Sequence, residues 1–123
     1  LIGLVFRSNE ALIAEACWSL GEIGDSRAVP ALVQVLQSDE RFHVLRALEA
    51  LGKIGDSSAI PHIIACIADC EVELKFATAK ALGQIGGESA MRGLELLCED
   101  DNPSVVEKAT AALVSLENTL KRL

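Results

Sequence analysis

A six-residue pattern, Leu-Gly-x-Ile-Gly-x, occurs three times in this chain and limits its possible folds more than any other feature. The copies cover residues 20–25, 51–56 and 82–87, and each begins 31 residues after the one before it. A fixed period of this length is typical of stacked supersecondary units, none of which can bury its apolar face alone. The chain is therefore predicted to be a repeat protein, an architecture that offers an extended surface for binding.

Each period is predicted to hold two helices. In the period that starts at residue 25, Asp25 or Ser26 can cap the first helix, and Pro30 is tolerated in its first turn. The second helix carries apolar residues at helical spacing on one face: Val44, Ala47, Leu48 and Leu51. Gly55 can adopt the left-handed conformation that ends such a helix. Two helices and two turns account for the whole period.

The predicted fold class is all-α: a right-handed α-solenoid of helix pairs with a 31-residue period. We expect a single repeat domain over residues 1–123. The apolar spacing at the start of the chain matches only the end of a first helix, so residues 1–24 are predicted to be a truncated repeat. Residues 25–55, 56–86 and 87–123 are predicted to be complete repeats.

The repeated pattern is followed by Ala-x-Pro at residues 28–30 and 59–61. With this addition the chain resembles the HEAT-like repeats of phycobilisome lyase subunits. The resemblance implies a solenoid of helix pairs, which is used by scaffolds, adaptors and a few enzymes. One departure concerns the position early in the second helix where such repeats usually hold arginine, because only Lys75 is charged there. We therefore expect a weak polar ladder between the repeats.

Composition and charge argue against several classes of partner. The chain has 18 acidic and 11 basic residues and a net charge of −7. An acidic chain repels phosphate backbones, so no nucleic-acid partner is expected. No apolar run approaches the roughly 20 residues that span a bilayer, so no membrane partner is expected either. The four cysteines fall at apolar positions or in a turn, which favours reduced thiols and a cytoplasmic location.

The search for reactive chemistry finds no catalytic set. His43 lies in a register otherwise held by apolar residues, so we expect it at the edge of the core. Cys66 and Cys70 are four residues apart and permit a pair of soft metal ligands, but they do not complete a site. Cys17 lies in a core register. We expect no metal, no cofactor and no catalysis; were the chain an enzyme, the resemblance implies a phycobilin lyase-like activity.

The side of the second helices opposite the core is the candidate functional surface. In a superhelix of paired helices this side lines the concave surface, which such proteins use for binding. Three of the four aromatic residues of the chain fall on it. Large exposed aromatic side chains are typical anchors of interfaces. The candidate partner-binding residues are Trp18, Phe42, Leu45, Arg46, Glu49, Glu73, Phe76 and Lys80.

These observations predict a non-catalytic scaffold or adaptor that binds a peptide or a partner helix on its concave face. One alternative is that the aromatic residues pack between repeats and the chain is a structural spacer in a larger protein. Another, implied by the resemblance, is a bilin lyase-like or chromophore-chaperone subunit. Open solenoid ends expose apolar surface, so self-association through those ends is also expected to be possible.

Overall fold

The computed structural model describes residues 10–38, 40–65 and 71–121 and, within these ranges, the side chains of residues 15–119. This part of the chain holds seven α-helices and no strand, so the predicted all-α class is confirmed. The helices are α1 (Glu10–Ile23), α2 (Val29–Val35), α3 (Arg41–Ile54), α4 (Ile60–Ala65), α5 (Val72–Ile85), α6 (Glu88–Leu97) and α7 (Pro103–Lys121).

The helices form two layers. Each of the longer helices α1, α3 and α5 packs against the next longer helix, and α7 completes this row. The shorter helices α2, α4 and α6 lie against α3, α5 and α7 in a second layer. This is the predicted solenoid of stacked helix pairs. No helix in the described ranges combines the length and the apolar character needed to cross a bilayer.

Aspartate side chains cap the helical segment that opens two of the repeats. Asp25 accepts a hydrogen bond from the backbone N–H of Arg27, and Asp56 accepts one from Ser58, each at 2.9 Å. Both caps serve a three-residue 3-10 turn that leads into α2 or α4, rather than the α-helix itself. The predicted choice between Asp25 and Ser26 is therefore resolved in favour of Asp25. In the last repeat Gly87 offers no side-chain cap, and α6 begins directly at Glu88.

A glycine ends α3, and an asparagine caps the start of α7. Gly55 has φ of +76°, and its N–H donates to the Leu51 carbonyl, which is the left-handed helix end predicted for this position. The last helix starts at Pro103, where Asn102 Oδ1 accepts a hydrogen bond of 2.8 Å from the Ser104 N–H. The end of α3 and the start of α7 therefore lie where the sequence pattern puts them.

The core lies between the two layers and contains the predicted apolar faces of the second helices. The leucine of every copy of the repeated pattern is buried, and so are Val44, Ala47 and Leu48. His43 is also buried, as predicted from its register. The isoleucine of the pattern varies, because Ile23 is 62% exposed while Ile54 and Ile85 are half-buried against the core. The two apolar positions of the pattern thus have different roles, and only the leucine is consistently a core residue.

The first glycine of each copy marks the closest approach between consecutive long helices. The pairs in contact are Gly21 with Ala50, Gly52 with Ala81, and Gly83 with Ala112. A Cβ atom added at Gly21 would lie only 2.9 Å from the Cα atom of Ala50. The corresponding distance from Gly83 is an ordinary 3.5 Å to the Cβ atom of Ala112. The repeated glycine therefore leaves space for the backbone of the next long helix. The contact is less tight between α5 and α7 than between α1 and α3.

The single charged residue in the arginine register takes part in a contact between repeats. Lys75 on α5 forms an ion pair with Asp100 in the turn before α7, and both side chains are more than four-fifths buried. Asp100 also accepts a hydrogen bond from the Asn102 N–H at 3.0 Å. The hydrogen bonds from Lys75 and Asn102 lower the pKa of the Asp100 carboxyl. Ion pairs between Lys53 and Glu22 and between Arg41 and Glu71 join the preceding repeats, so each junction carries an ion pair and only that of Lys75 is largely buried.

The aspartate contacts predict that the fold loses stability in acid. Hydrogen bonds from Ser58 lower the pKa of Asp56, as those from Lys75 and Asn102 do for Asp100. A carboxyl whose pKa is lower in the folded protein stabilises it above the unfolded pKa of about 4, and this contribution is lost as the pH falls further. We expect the melting temperature to decline between pH 5 and pH 3, and less steeply in Asp56→Asn, which keeps a capping oxygen. Equal declines in the two proteins would contradict a role for Asp56.

Candidate functional site

A groove of about 470 Å³ lies across α3, α5 and α7, on the side of the long helices opposite the core. Five of the eight candidate residues line it: Leu45 and Glu49 from α3, with Glu73, Phe76 and Lys80 from α5. The other three, Trp18, Phe42 and Arg46, lie outside the groove lining. The structure therefore brings most of the predicted set together around one depression, which is centred on α5.

The depth of the groove comes from alanines. Ala77 on α5 and Ala111 and Ala112 on α7 line it, and their small side chains leave room above the helix backbones. The sequence interpretation extends the outer face from α3 to α5 and to α1 but not to α7. Shifting Ala77 by one period gives Lys108, which also lines the groove. The same period that identified α5 could thus have identified α7.

A cation lies near each of the three aromatic rings on this face. The distances to the ring centroid are 5.8 Å from Lys53 Nζ to Trp18, 4.6 Å from Arg46 Cζ to Phe42, and 5.1 Å from Lys108 Nζ to Phe76. These are cation–π distances. Trp18 is 57% and Phe42 is 54% exposed, so among the described residues neither is packed between repeats as the alternative interpretation requires. Phe76 is half-buried against the core.

The acidic and basic side chains at the groove differ in whether they have an ion-pair partner. Glu49 forms a 2.9 Å ion pair with Arg46, and a carboxylate oxygen of Glu73 lies 4.0 Å from Nε of Arg41. Lys80 and Lys108 also line the groove, and neither has an ion-pair partner within the described part of the chain. Glu49 is thus paired with Arg46, and Glu73 shares Arg41 with Glu71, whereas the two ammonium groups have no carboxylate partner in the described ranges.

Metal binding and the Cys17 thiol can be assessed in the described residues. Across them, no group of three or more histidine, cysteine or acidic side chains could hold a metal ion. Cys17 is fully buried, and its burial raises the pKa of the thiol to about 11, which opposes formation of the thiolate. Cys66 and Cys70, the pair considered as metal ligands, lie outside the described residues. The lining of the groove itself offers shape, apolar contact and charge.

The fold resembles several solved repeat structures. One is the structure of the complex of CpcE and CpcF of phycocyanin lyase from Nostoc sp. PCC7120, with 25% identity over 91% of this chain and a TM-score of 0.73. A designed armadillo repeat protein in complex with the peptide (KR)4 has 21% identity over 94% of this chain and a TM-score of 0.64. An engineered protein has 20% identity over 95% and a TM-score of 0.67. The chain spans 51%, 62% and 61% of these three chains, respectively.

A model of the HEAT repeats family matches residues 1–75 and 44–115, two overlapping stretches that together cover most of the sequence. No curated protein matches the chain. The family match agrees with the two-layered stack of helix pairs and with the resemblance of the repeated pattern. The chain therefore belongs to the HEAT repeat family.

Proposed function

We propose that this chain is a non-catalytic interaction module whose groove across α3, α5 and α7 binds a peptide or a helix of a partner protein. The observation that carries the proposal is the lining of that groove. The half-buried Leu45 and Phe76 lie beside the alanines at 77 and 111, so a partner side chain would find apolar contact in a concave site. Apolar grooves of this kind accept the anchor residues of peptides and amphipathic helices.

The surroundings of the groove support the same function. Trp18 and Phe42 are exposed on the same side of the long helices, and large exposed aromatic side chains are common interface anchors. Arg46, Glu49, Glu73 and Lys80 would fix the orientation of the partner through charge. The phycocyanin lyase chain and the designed armadillo repeat protein to which this chain is similar both occur in complexes with a second polypeptide. Binding of a polypeptide is thus compatible with this architecture.

A random peptide display library, panned against the full chain, tests this function without a known partner. We expect selected peptides to lose at least tenfold in affinity when Ala77→Gln and Ala111→Gln are combined. These changes fill the groove without altering charge, and glutamine suits a helix. Leu96→Gln is the matched control, because Leu96 is exposed on α6 in the other layer. Affinities are measured by fluorescence anisotropy, and circular dichroism verifies that each variant is folded.

Two results would overturn the proposal. One is the absence of any peptide whose affinity depends on Ala77 and Ala111. The other is a loss of affinity in Leu96→Gln as large as that in the groove variant. In either case the spacer interpretation, in which the repeats only hold other parts of a larger protein apart, becomes the better account. Binding that survives in the control and fails in the groove variant supports the proposal.

A second candidate function is a chromophore-handling subunit like the phycocyanin lyase chain to which this one is similar. A groove of about 470 Å³ with an aromatic side chain and two lysines has the elements needed to hold a flat, acidic small molecule. Titration of the chain with a bilin tests it. A visible-absorbance shift that disappears in the Ala77→Gln, Ala111→Gln variant would favour this function, and an unchanged spectrum would exclude it.

A further inference from the structure

We propose that the segment bound in the groove is acidic and carries large apolar side chains. This inference rests on the proposed function and adds the chemistry of the partner. Its basis is the distribution of charge around the groove, which differs in sign from that of the whole chain.

The ammonium groups of Lys80 and Lys108 lie at the groove. Lys108 Nζ lies 5.1 Å from the centroid of the Phe76 ring, and Lys80 lines the same depression from α5. Neither has an ion-pair partner among the residues that the structure describes. A carboxylate placed there would gain a charge-assisted hydrogen bond without breaking an existing ion pair. A lysine or arginine placed there would face two like charges and be repelled.

The acidic side chains of the groove do not offset this effect. Glu49 is held by Arg46 at 2.9 Å, and Glu73 lies 4.0 Å from Arg41, which it shares with the closer Glu71. A basic partner would have to compete with these arginines for the carboxylates. Among the charged residues that line the groove, Lys80 and Lys108 are therefore the two without an opposite charge beside them in the described part of the chain.

The three helices that form the groove are positive in an acidic protein. The sequences of α3, α5 and α7 contain seven lysines and arginines and four glutamates, a net charge of +3. The net charge of the whole chain is −7, so the excess acid lies in the turns and in the other helices. This charge attracts an acidic segment to α3, α5 and α7, whereas α1, with three glutamates and no lysine or arginine, would repel it.

The groove also sets the size and the apolar content of its occupant. Packed helix axes lie roughly 8–10 Å apart, so the three helices span about 20 Å. An extended segment of about six residues or a helix of about 13 residues crosses that distance. Leu45 and Phe76 contact apolar side chains at its centre, and its carboxylates meet Lys80 and Lys108 at the α5 and α7 side.

The sequences and salt dependence of peptides selected from a random 12-residue display library test this inference. We expect the peptides whose binding depends on Ala77 and Ala111 to be enriched in aspartate and glutamate next to leucine, phenylalanine or tryptophan. Their affinity should fall about tenfold in Lys80→Gln/Lys108→Gln and decline as salt is raised. Arg27→Gln/Arg92→Gln is the control, because it removes the same charge from exposed positions in the other layer.

The outcomes separate this inference from the proposed function. Groove-dependent peptides that are neutral or basic, or that bind equally well to Lys80→Gln/Lys108→Gln, would overturn the acidic partner and leave the binding groove intact. Equal losses in the two charge variants would also overturn it, because net charge alone would then explain the attraction. If no selected peptide depends on Ala77 and Ala111, the proposed function itself fails, and the acidic partner fails with it.

Discussion

Replacing Gly52 with valine is expected to lower the free energy of unfolding by about 2–3 kcal/mol, because the new side chain has no room between α3 and α5. A Cβ atom at residue 52 would lie 2.2 Å from Oε1 of Gln84 and 3.1 Å from Cα of Ala81. The Gln84 side chain can rotate away, but the Ala81 backbone can move only if the helices separate. Chemical denaturation followed by circular dichroism measures the loss, and the melting temperature should fall by roughly 10 °C.

A matched control for Gly52→Val comes from α7. Val114 occupies the position that corresponds to Gly52 two repeats later, and its side chain is 49% exposed. Val114→Gly removes no helix contact of this kind, so it should cost less than about 1 kcal/mol through helix propensity. Similar losses in both variants would mean that the exchange between glycine and valine, and not the approach of the helices, determines the effect.

Truncating Leu51 to alanine is expected to cost about 2–5 kcal/mol, because this leucine of the repeated pattern is fully buried between the layers. The loss has two parts: the transfer free energy of the apolar atoms that are no longer buried, and the cost of the cavity left in the folded protein. Denaturation with urea measures this loss. An unchanged dependence of the free energy of unfolding on urea concentration would verify that the variant exposes as much surface on unfolding as the original protein.

Ile23, the isoleucine in the first copy of the pattern, provides the comparison for Leu51→Ala. Ile23 is 62% exposed, so Ile23→Ala should change the free energy of unfolding by no more than about 0.5 kcal/mol. The sequence alone gives the two positions equal weight, since both recur in every copy. A loss in Ile23→Ala as large as that in Leu51→Ala would contradict the burial that the structure assigns to them.

The fold could be predicted because its determinants are local and recur at a fixed spacing. The glycine at 55 ends a helix through its own φ angle, and the leucine at 51 follows the helical spacing of the core face. The link between Lys75 and Asp100 could not be predicted in this way. These residues are 25 positions apart, off the repeat period, and their contact depends on how the turn before α7 folds back onto α5.

The candidate site was only partly accessible from the sequence. Periodicity assigns a residue to a face of a helix, so it placed Phe42 and Phe76 on the same surface. It does not give the depth of that surface, which depends on the small side chains of neighbouring helices. Phe76 therefore lines the groove while Phe42 does not, and Lys108 was missed because the repeated pattern ends before α7.

Mapping of amide chemical shifts tests the central claim, that the groove across α3, α5 and α7 is the binding surface, most directly. The labelled full chain is titrated with a peptide selected from the display library. We predict the largest shift changes at residues 45–49, 73–84 and 108–112, with small changes at residues 29–35, 60–65 and 88–97. The largest changes in the layer formed by α2, α4 and α6 would contradict the claim.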